Sequence, residues 1–109
     1  MPRHDIRQLQ LSPRHLSMLR EILSRHAANA DAWAYGSRVN GNAHEGSDLD
    51  IVLRNPVHPE AEIGNFTEIL EAMQDSDLPM LVDVHDWSRL PAEFCRNIEH
   101  SHVVIQEGK

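Results

Sequence analysis

Apolar positions along the 109-residue chain change period several times, and each change marks an element. After Ser12-Pro13, the residues Leu16, Leu19, Ile22, Leu23 and His26 recur at helical spacing. Ser12 is a capping residue type and Pro13 suits the first helical position. The spacing therefore predicts a helix from Pro13, with Asn29 and Asp31 as stop signals. Ala32-Trp33-Ala34-Tyr35 is a short apolar run cut off by Gly36, which predicts a buried strand. Residues 36–47 hold Gly36, Gly41 and Gly46, three of the five glycines, and form a loop with room for a short helix after Ser37. Leu49, Ile51 and Leu53 then alternate with Asp48, Asp50 and Val52, a strand pattern ended by Asn55-Pro56. Ile63, Phe66, Leu70 and Met73 predict a second helix from about 60 to 75. Asp77-Leu78-Pro79 is a turn, Met80 to His85 a further strand, and Pro91 opens a third helix carrying Phe94 and Ile98. Val103-Val104-Ile105 is a short last strand or a packed tail, and residues 1–11 a tail or lead-in strand. This order predicts an α+β fold: a small mixed sheet with helices packed on one face, in a single domain over 1–109.

Charge narrows the function. A formal net charge of −7 argues against broad binding to nucleic acid or to an anionic membrane. It leaves open a single phosphorylated ligand held through a metal, and a basic protein partner. Cys95 is the only cysteine, so no internal disulfide forms, and its helical setting predicts a packed side chain. The polar start and the absence of a run of about 18 apolar residues predict a cytoplasmic protein. The eight histidines are scattered, with only His100-x-His102 close, and no zinc motif is present. His44 and His85 are expected to be solvated surface residues, and Trp87 stacks on a base, packs in the core or contacts a partner.

The chemistry starts at Ser47-Asp48-Leu49-Asp50-Ile51. Side chains on a strand alternate faces, so Asp48 and Asp50 point one way while Leu49 and Ile51 point into the core. Two carboxylates about 7 Å apart along one strand repel each other, and a divalent cation with oxygen ligands relieves that repulsion. Gly36-Ser37 precedes them by ten residues, at a corner where backbone N–H groups and a hydroxyl can meet a phosphate. Asp83 sits inside the apolar strand Leu81-Val82-Asp83-Val84, where a carboxylate is costly unless paired or bound to metal. Asp86 competes with it for the same role.

Gly36-Ser37-Arg38, Gly41, Ser47-Asp48-x-Asp50 and the later Asp83 resemble the signature of the polymerase-beta-like nucleotidyltransferases, and most closely the minimal nucleotidyltransferases. The resemblance implies that Asp48, Asp50 and Asp83 ligate two Mg²⁺ ions and that Asp83 takes the proton of the attacking hydroxyl. It assigns nucleotide binding to Gly36, Ser37, Arg38 and Ser47, with Arg38 either neutralising phosphate or tying the loop to an acidic neighbour. It implies transfer of AMP from ATP to a hydroxyl of a partner protein. Minimal members pair with a HEPN-type toxin as its antitoxin, so an oligomer with that partner is expected. From its length the chain is expected to lack the extra domain with which larger members bind RNA, DNA or antibiotics. A non-catalytic antitoxin acting by stoichiometric binding and a small-molecule, antibiotic-type transferase are the alternatives.

Overall fold

The structure is a computed structural model that describes residues 3–4, 9–36, 39 and 48–108. Strand β1 (Arg3–His4) is followed by helix α1 (Pro13–His26), then by strands β2 (Asp31–Tyr35) and β3 (Leu49–Arg54). Helix α2 (Phe66–Gln74), strand β4 (Val82–Asp86), a single 3₁₀ turn (Trp87–Arg89), helix α3 (Ala92–His100) and strand β5 (His102–Gln106) complete the order. The sheet runs β1-β5-β2-β3-β4. Its outer pairs, β1 with β5 and β3 with β4, are parallel, and the two inner pairs are antiparallel. This is the expected α+β class with a small mixed sheet.

Local chemistry explains the elements. Ser12 Oγ accepts from the His15 N–H at 3.2 Å, Pro13 takes the first turn, and Arg25 and His26 sit at the negative end of the α1 dipole. Alternation on β2 and β3 sends Ala32, Ala34, Leu49, Ile51 and Leu53 to one face. There they meet Leu19 and Leu23 of α1 and Ile69 and Met73 of α2, and this layer is the main core. The opposite face carries a smaller cluster of Tyr35, Val52 and Ile98, with Trp33, Trp87 and Leu90 packed against it. Helix α3 thus adds cover on the face away from α1 and α2.

Three sequence-based boundaries move. Asp31 is not a stop signal but the buried first residue of β2, where its carboxylate receives Arg54 of β3 at 3.1 Å. The Arg54 guanidinium lies against the rings of both Trp33 and Trp87, 5.1 and 5.5 Å from their centroids. Helix α2 starts at Phe66 rather than near residue 60, because Gly64-Asn65 forms a turn and the Ile63 N–H donates to the Asp86 carboxylate instead of entering a helix. Of the strand and the tail offered for residues 103–105, the structure shows the strand, extended by one residue at each end and flanked by β1 and β2. No helix among the described residues is long and apolar enough to cross a membrane.

Candidate active site

The site lies on the α3 face, where β2 ends and β3 and β4 begin. Cα register places Tyr35 opposite Asp50 and Asp50 opposite Asp83, so three polar side chains form one row across three strands. Adjacent strands lie about 5 Å apart, which brings the two carboxylates side by side. Asp48 precedes β3 by one residue and is exposed, on the same side as Asp50 by strand period. The sequence pattern therefore assembles Asp48, Asp50 and Asp83 on one face. Ser37, Arg38, Gly41, His44 and Ser47 lie outside the described residues, as does the short helix expected after Ser37.

Gly36 closes the corner. Its φ is +83°, in the left-handed region that glycine adopts without strain. A Cβ on Gly36 would lie 2.5 Å from Asp50 Oδ2, so the backbone and this carboxylate occupy a space that no side chain can share. The bond from the Val39 N–H to the Gly36 carbonyl, 3.0 Å, turns the chain immediately after the corner.

Electrostatics mark the row as charge-crowded. Burial, with help from the charges of Asp83 and Asp48, pushes the Asp50 carboxyl above its ordinary range, and His85 partly offsets this. Burial, reinforced by Asp50 and Asp83, holds the Tyr35 hydroxyl firmly protonated. His85, expected to be merely solvated, has Nε2 3.3 Å from Asp83 Oδ2 and is 39% exposed, against 52% for Asp83. Asp83 therefore has a partner on its own strand.

Asp86 does not compete for this role. It is three residues on, which turns it to the opposite face, and it is 4% exposed. Its carboxylate accepts from the Ile63 N–H at 3.0 Å and from both the N–H and hydroxyl of Ser88 at 3.0 and 2.8 Å. Asp86→Ala is expected to lower stability by about 1–2 kcal/mol through the orphaned, partly buried donors of Ile63 and Ser88, whereas Asp83→Ala shifts the urea midpoint little. Trp87 is half-buried and packs against the smaller cluster, its ring meeting Trp33 edge-on at 5.4 Å. Cys95 is buried, as the helical pattern predicts. His102 stacks on Trp33 at 4.2 Å and its Nδ1 lies 3.0 Å from the Ile98 carbonyl.

The comparisons with known proteins bear on this geometry. Residues 17–109 match the family described as polymerase beta, nucleotidyltransferase. The chain belongs to this nucleotidyltransferase family. It is similar to a probable protein adenylyltransferase MntA of Haemophilus influenzae, with 36% identity over 102 residues, 92% of this chain and 86% of the relative. Nucleotidyltransferase chemistry takes a nucleoside triphosphate and a divalent metal, and the donor set of this nucleotidyltransferase fits that metal. Asp48, Asp50 and Asp83 offer only oxygens, and burial first, then the charges of Asp83 and Asp48, raises the Asp50 pKa, a cost to the ionised form that a cation would relieve. Among the described residues no three His, Cys, Asp or Glu side chains are grouped so as to hold a metal ion by themselves. Tyr35 and the contact of His85 with Asp83 are the site features that the motif did not supply. Period-two alternation along β2, which sends Ala32 and Ala34 to the main core and Trp33 and Tyr35 to the opposite face, is the signal that would have found Tyr35.

Proposed function

We propose that this nucleotidyltransferase moves AMP from ATP onto a hydroxyl of a partner protein in the cytoplasm, and that it serves as the antitoxin of a pair whose toxin is HEPN-type. One observation carries the catalytic part: the register that sets Asp50 beside Asp83 next to the Gly36 corner. The name of the Haemophilus influenzae relative, a probable protein adenylyltransferase, supports a protein as acceptor. The toxin pairing rests on the resemblance to minimal nucleotidyltransferases, and the net charge of −7 suits a basic partner.

In this reading Asp48 and Asp50 hold Mg²⁺, and Asp83 joins them at a second ion. The ions supply charge neutralisation for the entering and leaving oxygens. Gly36 leaves room for the outer phosphates, with Ser37, Arg38 and Ser47 of the following loop around them. Asp83, steadied by His85 at 3.3 Å, accepts the proton of the acceptor hydroxyl. The hydroxyl oxygen bonds to the α-phosphorus, the bond from that phosphorus to the bridging oxygen breaks, and pyrophosphate leaves. The row acts by position and charge, with no covalent protein intermediate.

The test incubates the purified protein with the product of its neighbouring gene, Mg²⁺ and labelled ATP. The expected result is a partner heavier by one AMP, lost with Asp48→Ala/Asp50→Ala. Absence of adduct with the native protein, or undiminished adduct with the double variant, rejects the mechanism. A double variant that still neutralises the partner in cells would establish stoichiometric binding instead.

A further inference from the structure

Five aromatic residues stand in the chain, Trp33, Tyr35, Phe66, Trp87 and Phe94. Four are committed. Trp33 and Trp87 lie against Arg54, and Trp33 also stacks on His102. Phe66 packs against the main core on the far face of the sheet. Tyr35 is buried in the acid row. Phe94 alone is both exposed, at 40%, and beside the site. Its ring meets Tyr35 edge-on, with centroids 5.8 Å apart and planes at 86°. Cys95 and Ile98 supply the buried contacts of α3, so Phe94 keeps a free side over the row.

From these placements we infer that Phe94 is the wall against which the nucleobase stacks. This rests on the nucleotidyl-transfer reading above. In an in-line displacement the entering and leaving oxygens lie on opposite sides of the phosphorus. In the reading above the pyrophosphate lies toward the Gly36 corner at the end of β2, and the acceptor enters from β4, where Asp83 and His85 stand. That assignment leaves the Tyr35 end of the row, beside α3, for the nucleoside. Phe94 borders that space. Leu81, 65% exposed, precedes Asp83 on the acceptor side and does not compete for the base. Every base has a π-face, so an aromatic wall adds affinity with little choice among bases. It does distinguish a nucleotide from a bare triphosphate.

Calorimetry with Mg²⁺ and either ATP or inorganic tripolyphosphate tests this on the whole protein. Phe94→Ala is expected to weaken ATP binding about tenfold and leave tripolyphosphate binding unchanged. Phe94→Leu keeps an apolar contact with Tyr35 but removes the aromatic face, so it should resemble the alanine variant. Phe94→Trp should restore ATP affinity. Equal losses for both ligands, or no loss for ATP, overturn the inference. So does a raised acceptor KM at unchanged ATP affinity, which would make Phe94 an acceptor contact. If the native protein binds neither ligand, the nucleotidyl-transfer reading fails as well; if it binds both and Phe94→Ala changes nothing, only the role of Phe94 fails.

Discussion

Asp50→Asn is expected to abolish nucleotidyl transfer while raising the melting temperature of the metal-free protein. The loss should reach at least about a thousandfold in turnover, because the amide neither carries the charge nor binds Mg²⁺ as a carboxylate does. The gain has a separate cause. Asp50 is half-buried and faces Asp83 and Asp48, and these together raise its pKa. A carboxyl whose folded-state pKa lies above its unfolded value favours folding while protonated. That contribution is fully present below the unfolded value of about 4 and is lost as pH rises through the folded value. At neutral pH in EDTA the ionised Asp50 is therefore a cost. The asparagine removes it, for a gain on the order of 0.5 kcal/mol and a few degrees in a domain of this size. Melting curves from pH 3 to 8 in EDTA check this: the advantage of the variant should shrink as pH falls. Adding Mg²⁺ with ATP should reverse the order, because only the native protein gains ligand stabilisation. A variant less stable than the native protein at neutral pH in EDTA would refute the charge-crowding account.

Gly36→Ala should be nearly as damaging, by geometry instead of charge. The backbone there has φ +83°, which costs a non-glycine residue about 1–2 kcal/mol. The added methyl also lies 2.5 Å from Asp50 Oδ2, so the carboxylate must leave its place. A displacement of about 1 Å at a reacting centre can cost a hundredfold, and that is the expected fall in kcat. Stability should fall by about 2 kcal/mol in urea unfolding, the opposite sign to Asp50→Asn. In the double variant the two catalytic losses should not add, because both act through the same carboxylate. Full additivity would mean that Gly36 works independently of Asp50.

Much of this was legible in the chain itself. Strands β2, β3 and β4 followed from short apolar runs, and alternation alone put Asp48 and Asp50 on one face. Alternation also separates Asp83 from Asp86, since an odd offset reverses the face. Three features were not legible. The start of α2 turned on a tertiary bond from Ile63 to Asp86, which local spacing does not register. The side taken by α3 depends on Ile98 meeting Val52 and Tyr35, residues far away in sequence. The nearness of Phe94 to the acid row has the same origin, because a helical apolar position says that a residue packs but not against what.

The inner position of β5 bears on when the protein becomes competent. Ala32 pairs with Gln106 and Ala34 with Val103, so one edge of β2 stays open during synthesis until β5 has been made. Pairings between such distant segments form late and slowly. Closure of the sheet thus waits for β5, and nascent chains arrested before His102 should be readily cleaved by protease.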